Sequence, residues 1–255
     1  SLESYYDLIA SYAKLTKVTE LKEEVQGDIE LSQKEKGMEI EFKEVDFAFS
    51  DTPAILSDVN FKLKENSITV VTGKMGTGKS LLLNMLAGFY EPNSGTILFD
   101  KIPLKNLDKK HFRNNIGLYL ENMKVIQGSI LENILLGNVN SNTESILQLS
   151  DKLGIESISS SFSQGFTTEI SETDSELTFS SKKKILMLRS LLGKKRLILL
   201  ENPLAGMSET FQEKLLEYLI ELKKTTTIII VSPDKNLIYN ADHHIHLEDG
   251  TLRII

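Results

Sequence analysis

A glycine-rich loop between a predicted strand and a predicted helix limits this chain to few folds. The loop matches the pattern G-x-x-x-x-G-K-S and reads Gly73-Lys74-Met75-Gly76-Thr77-Gly78-Lys79-Ser80. The compact apolar run from Ser67 to Thr72 precedes it and is typical of a strand buried on both faces. Residues Leu81 to Ala87 have the composition of a helix, and Gly88 fits the position just past its end. This order of strand, loop and helix is the context in which such a loop holds phosphate.

The residue types in the loop predict a site for a nucleoside triphosphate with Mg²⁺, and all eight residues are candidate binding residues. The glycines allow the backbone to curl so that several N–H groups point at phosphate oxygens. The helix that starts near Gly78 adds the positive end of its dipole. We expect Lys79 to reach the β- and γ-phosphates and Ser80 to offer its hydroxyl to the metal ion.

Composition excludes several other classes of protein. The chain has 255 residues, a net charge of −7, 40% hydrophobic and 25% charged residues, which is typical of a globular protein. The acidic balance argues against a nucleic-acid partner held by the overall charge of the chain and leaves open only a local basic patch. Zero cysteines exclude disulfides, thiolate catalysis and cysteine-ligated metals. No apolar run approaches the ~18–20 residues of a membrane-spanning helix, and the alternation of charged and apolar residues over 1–25 predicts no signal peptide.

The N-terminal third begins with a helix and continues into strands. Apolar residues recur at helical intervals from Leu8 to Leu21 and predict a helix, which is followed by a polar linker from Glu23 to Gly37. From Met38 the chain turns to short apolar runs. The alternation over Ile40 to Phe49 predicts an antiparallel edge strand.

The remainder alternates between helix and strand signals. Residues 121–195 are rich in helix signals. Buried strands are predicted at Leu197 to Leu200 and at Thr226 to Val231, with an amphipathic helix from Phe211 to Leu222 between them. Strands that alternate with helices indicate an α/β fold with a mostly parallel sheet.

Basic and histidine clusters are given simple interpretations. Lys182–Lys184 and Lys194–Arg196 are interpreted as a solvated helix face and a charged loop rather than as anion sites, because the whole chain is acidic. Alternation places His244 and His246 on one face of a strand beside His243, but we find no acid or cysteine to complete a metal site there.

Several segments around the loop resemble the nucleotide-binding domain of ATP-binding cassette (ABC) transporters, in particular the exporter branch. These segments are Ala54–Phe61, Gly88–Ile97, Ile116–Ile134, Gly165–Glu172 and Ala241–Gly250. The resemblance covers residues 38–255 with the right spacing throughout. It implies a P-loop NTPase (RecA-like) core with a mostly parallel sheet, an N-terminal antiparallel β subdomain and a helical subdomain at about residues 120–192.

The resemblance also implies partners for the domain. Residues 1–37, the predicted helix and linker, resemble the segment that leaves a transmembrane domain upstream in the same polypeptide. Such domains pair with each other, so a homodimer at the cytoplasmic face of a membrane is implied. The bound nucleotide would be ATP with Mg²⁺, and no nucleic acid is implied.

Position by position, the resemblance assigns site residues and shows departures from the family pattern. Phe49 aligns with the aromatic residue that stacks on adenine. The Q-loop glutamine aligns with Glu121 and the Walker B aspartate with Glu201, so Ser80, Glu121 and Glu201 are the candidate Mg²⁺ ligands. The signature motif aligns with Leu177-Thr178-Phe179-Ser180-Ser181 and the D-loop with Ala205-Gly206-Met207-Ser208, each with replacements.

Two further departures affect catalysis directly. The general base aligns with Asn202, which cannot accept a proton at neutral pH, and the switch histidine aligns with Pro233, which has no imidazole and no backbone donor. We therefore assign no catalytic residue and expect ATP binding with weak or no hydrolysis. In the family, each ATP site of a dimer combines the Walker motifs of one chain with the signature motif of the other. Because this chain departs from the pattern in both Walker B and the signature, both sites of any dimer that contains it would be altered, and pairing with a different chain does not easily restore hydrolysis. Two alternatives stay open: an active ATPase with Glu201 or Glu121 as substitute carboxylate, and a scaffold that needs no nucleotide.

Overall fold

The computed structural model describes residues 24, 26–32, 34–138, 140–155, 164–174 and 177–255. The helix predicted from Leu8 to Leu21 lies outside these residues. The described part of the predicted linker has irregular backbone and lies against the rest of the protein: Ile29 forms a bridge to Leu107, and Leu31 is buried. The division between residues 37 and 38 stays a prediction.

The described residues form two larger sheets and a small hairpin. The strands in chain order are β1 (Ile40–Phe47), β2 (Leu56–Leu63), β3 (Ile68–Thr72), β4 (Ser94–Phe99), β5 (Ile102–Pro103), β6 (Ile116–Tyr119), β7 (Gly128–Ser129), β8 (Glu169–Ile170), β9 (Leu197–Glu201), β10 (Thr227–Val231), β11 (His243–Glu248) and β12 (Thr251–Ile254). The antiparallel sheet has the order β2-β1-β4-β5, and the central sheet has the order β12-β11-β3-β10-β9-β6. In the central sheet β12 pairs antiparallel with β11, and the other pairs are parallel. The predicted α/β class with a mostly parallel sheet is confirmed.

The helices lie on both sides of the central sheet. They are α1 (Lys79–Leu86), α2 (Lys109–Asn114), α3 (Ile130–Leu135), α4 (Thr143–Lys152), α5 (Phe179–Leu191), α6 (Glu209–Leu222) and α7 (Lys235–Tyr239). Among the helices of the described ranges, none combines the length and the apolar character that crossing a bilayer requires.

Two hydrophobic cores form because successive side chains of a strand point to opposite faces. In β9, Leu197 and Leu199 belong to the core shared with the antiparallel sheet, α1 and α2. Ile198 and Leu200 belong to the second core, with α3, α4, α5 and α6. This alternation holds β9 and its neighbours between two apolar layers, and the carboxyl ends of β3, β9 and β10 meet at one edge, as parallel strands require.

The edge position predicted for the strand starting at Ile40 is wrong. β1 lies between β2 and β4, pairs with both, and ends at Phe47. Alternation reports that one face of a strand is buried, but it carries no information on whether one or both of its edges are paired.

Candidate nucleotide-binding site

The glycine-rich loop connects β3 to α1 and needs glycine at two positions. Gly73 has φ 152°, and a Cβ there would stand 2.3 Å from the carbonyl oxygen of Leu247. Gly78, the N-cap of α1, has φ 98°, and a Cβ there would stand 2.6 Å from Cγ2 of Ile55. Because Gly78 has no side chain to cap the helix, the first N–H groups of α1 are available to an anion. The predicted helix start near this residue is confirmed.

Lys79 lies inside the curl of the loop. Its Nζ donates to the carbonyl oxygens of Gly73 at 2.8 Å and of Lys74 at 2.5 Å. Burial lowers the pKa of the Lys79 ammonium below its usual range, and the carboxylate of Glu201 partly opposes this shift. The ammonium is therefore held by the loop itself, in the concave region where the pattern predicts phosphate.

A hydroxyl and a carboxylate meet beside the loop. Ser80 Oγ donates to Oε1 of Glu201, and Oε2 of Glu201 accepts from the backbone N–H of Glu121 at 3.1 Å. Glu201 is 8% exposed, whereas the side chain of Glu121 is exposed. Hydroxyl and carboxylate oxygens are ligands that suit Mg²⁺. Ser80 and Glu201 thus fit the predicted metal site, while Glu121 reaches them through its backbone.

These groups line a cavity of about 590 Å³, within the roughly 300–1,000 Å³ of small-molecule sites. Its lining is Phe49, Ile55, Thr72, Gly73, Met75, Gly76, Gly78, Lys79, Ser80, Leu81, Glu121, Glu201, Asn202, Val231, Ser232 and Pro233. Of the predicted loop residues, Lys74 and Thr77 are not in this lining; the Thr77 hydroxyl donates to the Lys74 carbonyl at 2.9 Å. The remaining predicted binding residues come together around one space.

An aromatic ring stands at the wall of this cavity. Phe49 is 44% exposed, and its ring makes edge contacts with Phe47 and Tyr90 at centroid distances of 5.1 Å and 5.6 Å. These contacts hold the ring in place, and its exposed surface is available for stacking with a planar ligand.

Asn202 and Pro233, which the resemblance aligns with the general base and the switch histidine, also line the cavity. Asn202 follows Glu201 directly and has φ 44°, in the left-handed region. Pro233 is exposed and follows Ser232, whose N–H donates to the carbonyl of Val71 at 3.2 Å. Within the described lining no histidine is present, and Glu121 and Glu201 are its two carboxylates.

The segment aligned with the signature motif starts helix α5, away from this lining. Thr178 is the N-cap, and its hydroxyl accepts from the N–H of Ser181 at 3.1 Å. Phe179 is 66% exposed, and its Cε1 lies 3.1 Å from where a Cβ of Gly206 would stand. The ring therefore covers the turn after β9.

The solvated interpretation of the basic clusters is wrong for two residues. Lys183 is 2% exposed and donates to backbone carbonyls of the turn after β9, and Arg196 is 5% exposed and pairs with Asp100 at 2.7 Å. A charge count cannot reveal such burial, because the partners are carbonyls and a carboxylate remote in sequence. The one sequence feature that could have indicated burial is the position of Arg196 directly before an apolar strand.

The histidines of β11 share one hydroxyl. As alternation predicts, His244 and His246 face the same side: Thr72 Oγ1 lies 2.9 Å from Nε2 of His244 and 2.9 Å from Nδ1 of His246. Over the described ranges, no group of three or more metal-ligating side chains is placed to hold an ion.

Comparison with known proteins places this site in a family. A family model described as "ABC transporter" matches residues 56–205. A Bacillus subtilis protein named "Uncharacterized ABC transporter ATP-binding protein YknV" is 30% identical over 83% of this chain and 35% of its own length. A Haemophilus influenzae "Probable ABC transporter ATP-binding/permease protein" is 30% identical over 84% of this chain and 38% of its own length. The chain thus spans little more than a third of these relatives.

A solved structure has the same fold. The protein described as "Structure of a bacterial Atm1-family ABC exporter with ATP bound" superposes with a TM-score of 0.86 at 20% identity. The match covers 96% of this chain and 43% of that protein. At this identity the likeness establishes the fold.

Proposed function

The chain belongs to the ABC transporter family as a nucleotide-binding domain of the exporter type, and from this premise we propose that it binds Mg-ATP with little or no hydrolysis. One observation carries the proposal. The loop from Gly73 to Ser80 is complete and opens into a cavity with a hydroxyl–carboxylate pair, while the catalytic positions beside it hold Asn202 and Pro233.

Each part of ATP has a group of this chain to bind it. Backbone N–H groups of the loop and the Lys79 ammonium bind the phosphates. The Phe49 ring stacks on adenine. Ser80 and Glu201 hold Mg²⁺, which supplies positive charge that neutralises the β- and γ-phosphate oxygens.

Hydrolysis is weak because proton transfer has no suitable acceptor. Asn202 carries an amide, which accepts no proton near neutral pH, and the loss of a general base costs about 10²–10⁴ in rate. Pro233 offers neither an imidazole nor a backbone N–H at the switch position. Glu201, one of the two carboxylates of the described lining, already accepts from the Ser80 hydroxyl and the Glu121 N–H.

Bound ATP would then act as a ligand that shifts a conformational equilibrium rather than as a fuel. The relatives' names include ATP-binding/permease proteins, which supports a transmembrane domain upstream in the same polypeptide and a place at the cytoplasmic face of a membrane. A homodimer of these domains around ATP completes the proposal.

The test is a calorimetric titration with Mg-ATP, with phosphate release measured on the same sample. We expect saturable binding and little release. Lys79→Ala should weaken binding by about 10–100-fold, since a charge-assisted hydrogen bond contributes about 1.5–3 kcal/mol. Lys110→Ala removes an exposed lysine of α2 and should leave affinity unchanged. Equal affinity of wild type and Lys79→Ala contradicts the proposal.

An active ATPase is the second candidate, favoured by the two carboxylates in the cavity lining, Glu121 and Glu201. In that case the wild type releases phosphate steadily, and Glu201→Gln or Glu121→Gln abolishes the release. A third outcome, no binding of ATP despite the complete loop, supports a scaffold that needs no nucleotide.

A further inference from the structure

Helix α5 carries a buried lysine that the proposed binding of ATP does not use. The side chain of Lys183 is 2% exposed, and its Nζ donates to the carbonyl oxygens of Asn202 at 2.8 Å and Ala205 at 2.7 Å. An ammonium has three N–H donors, so two of them hold one turn of the backbone. Burial of a charge is costly unless it is hydrogen-bonded, and an apolar side chain of the same length would avoid that cost.

The surroundings of Lys183 are aromatic on one side and acidic on another. Its Nζ lies 5.5 Å from the ring centroid of Tyr119 and 6.0 Å from that of Phe179. Burial lowers the pKa of Lys183 to about 8, and the carboxylate of Glu121 partly opposes this shift. Burial also raises the pKa of Tyr119 to about 12, helped by Glu121 and Glu201. At pH 7 the Tyr119 hydroxyl therefore stays neutral, and Lys183 is mostly protonated.

The turn that Lys183 holds is part of the cavity wall. Asn202 lines the cavity in a left-handed conformation, and its carbonyl also accepts from the N–H of Ala205 at 3.2 Å. The preceding residue, Glu201, accepts the hydroxyl of Ser80. A continuous path thus runs from Ser80 through Glu201 and the Asn202 carbonyl to Lys183.

The path ends at an exposed ring. Phe179, the first residue of α5, lies against Gly206 at the far end of the same turn. A shift of the turn therefore changes both what Lys183 bonds and what the Phe179 ring covers.

We propose that Lys183 is a positioning residue that joins the nucleotide cavity to the start of α5, so that occupation of the cavity changes the surroundings of Phe179. This inference rests on the binding of ATP proposed above. Ser80 and Glu201 would hold the metal ion. Ser80 is hydrogen-bonded to Glu201, the next residue along the backbone is Asn202, and the Asn202 carbonyl accepts from Lys183.

Tryptophan fluorescence tests the proposal, because the chain contains no tryptophan of its own. Phe179→Trp introduces a single probe at the exposed ring. We expect Mg-ATP to shift the emission of this protein, and the shift to be lost when Lys183→Met is added although calorimetry still finds ATP bound. Lys183→Arg should restore the shift, since a guanidinium also donates to carbonyls.

Lys182→Met is the matched control in the same background. Lys182 neighbours Lys183 on α5 but donates to the carbonyl and the carboxylate of Glu172, at 2.6 Å and 3.3 Å. The emission shift should persist in this variant.

A second measurement uses the Phe179→Trp protein with Lys183 in place, so it remains possible even if Lys183→Met fails to fold. Raising the pH from about 7 to about 9.5 removes the proton from Lys183 and weakens its two hydrogen bonds, because they are no longer charge-assisted, so the emission shift at saturating ATP should become smaller. In the Lys183→Arg protein it should persist, because arginine stays charged.

The outcomes separate the two proposals. If ATP binds and the emission shift is the same with lysine and methionine at 183, or is independent of pH, the coupling through Lys183 is overturned and the binding proposal stands. If calorimetry finds no ATP bound to the wild type or to the Phe179→Trp protein, the binding proposal fails and this inference fails with it.

Discussion

At Glu201 a single carboxylate contacts two other groups of the cavity. The side chain is nearly buried, and its two oxygens accept from the Ser80 hydroxyl and the Glu121 N–H. The hydroxyl oxygen of Ser80 keeps its lone pairs for a cation while it donates its proton. The pair is therefore complete as a protein contact and still suited to Mg²⁺.

This arrangement predicts how removal of the metal affects binding. Chelation of Mg²⁺ with EDTA should weaken ATP binding to the wild type by more than about tenfold, equivalent to about 1.4 kcal/mol. In Glu201→Gln the affinity should depend less on Mg²⁺, because the amide is a poorer ligand. Calorimetric titrations with and without EDTA measure both ratios. Equal ratios in the two proteins would contradict a metal-binding role for Glu201.

Lys183 predicts a dependence of stability on alkaline pH. Its pKa is about 8 in the folded protein against an ordinary value of 10.5. Between these values the unfolded chain binds the proton more tightly than the folded one, so the free energy of unfolding rises as pH increases from about 8 toward 10. Below pH 8 the whole penalty of the buried charge is present.

Urea unfolding at a series of pH values checks this sign. The rise should be smaller in Lys183→Met than in the wild type, and Lys182→Met should follow the wild type. If the free energy of unfolding changes between pH 8 and 10 in the same way in the wild type and in Lys183→Met, the assignment of the lowered pKa to Lys183 is contradicted.

Between elements, the ion pair of Arg196 and Asp100 joins the start of β9 to the end of β4. Both side chains are 6% exposed, and the guanidinium also donates to the carbonyls of Lys36 and Gly37 at 2.8 Å and 2.9 Å. Burial, the largest single influence, would raise the pKa of the Asp100 carboxyl, but the hydrogen bond and charge of Arg196, the backbone N–H of Glu39 and the charge of Lys34 together lower it. The pair's contribution to stability is present at neutral pH and is lost as the pH falls through this lowered pKa.

Asp100→Asn is expected to destabilise the protein by about 3–5 kcal/mol, because it leaves a buried guanidinium without its counter-charge. Lys34→Met is the control: Lys34 contacts the same carboxylate at 3.3 Å but is 40% exposed, so its loss should cost less than about 1 kcal/mol. Urea unfolding at neutral pH measures both. A cost for Asp100→Asn no larger than that for Lys34→Met would mean that the buried pair adds nothing.

Local elements are the ones that the sequence predicts well. The strand from Ile68, the loop and helix α1 are contiguous, and their apolar pattern and glycines specify them without help from the rest of the chain. The neighbours of β1 and the burial of Lys183 depend instead on segments far away in sequence. The loop pattern and the family resemblance predicted Ser80 and Glu201, with Glu121, as candidate Mg²⁺ ligands, but they gave no reason to connect Asn202 to α5.

For the molecule as a whole, ATP should act as a stabilising ligand. A ligand at 100 times its dissociation constant adds about 2.7 kcal/mol to the free energy of unfolding, which for a chain of this size corresponds to an increase of roughly 5–10 °C in Tm. Thermal unfolding with and without Mg-ATP measures the increase. Lys79→Ala should abolish most of it, and a full increase in that variant would place the ATP elsewhere.

Strand β9 connects the backbone at residues 36 and 37 to the nucleotide cavity. Arg196, which grips the backbone at residues 36 and 37, directly precedes this strand, and Glu201 ends it. The five residues of β9 span about 16 Å. Pairing with β10 on one side and with β6 on the other prevents β9 from sliding along its axis. A force applied to the backbone at residues 36 and 37 would therefore act on the start of β9, and the end of the same strand carries the Glu201 carboxylate of the cavity.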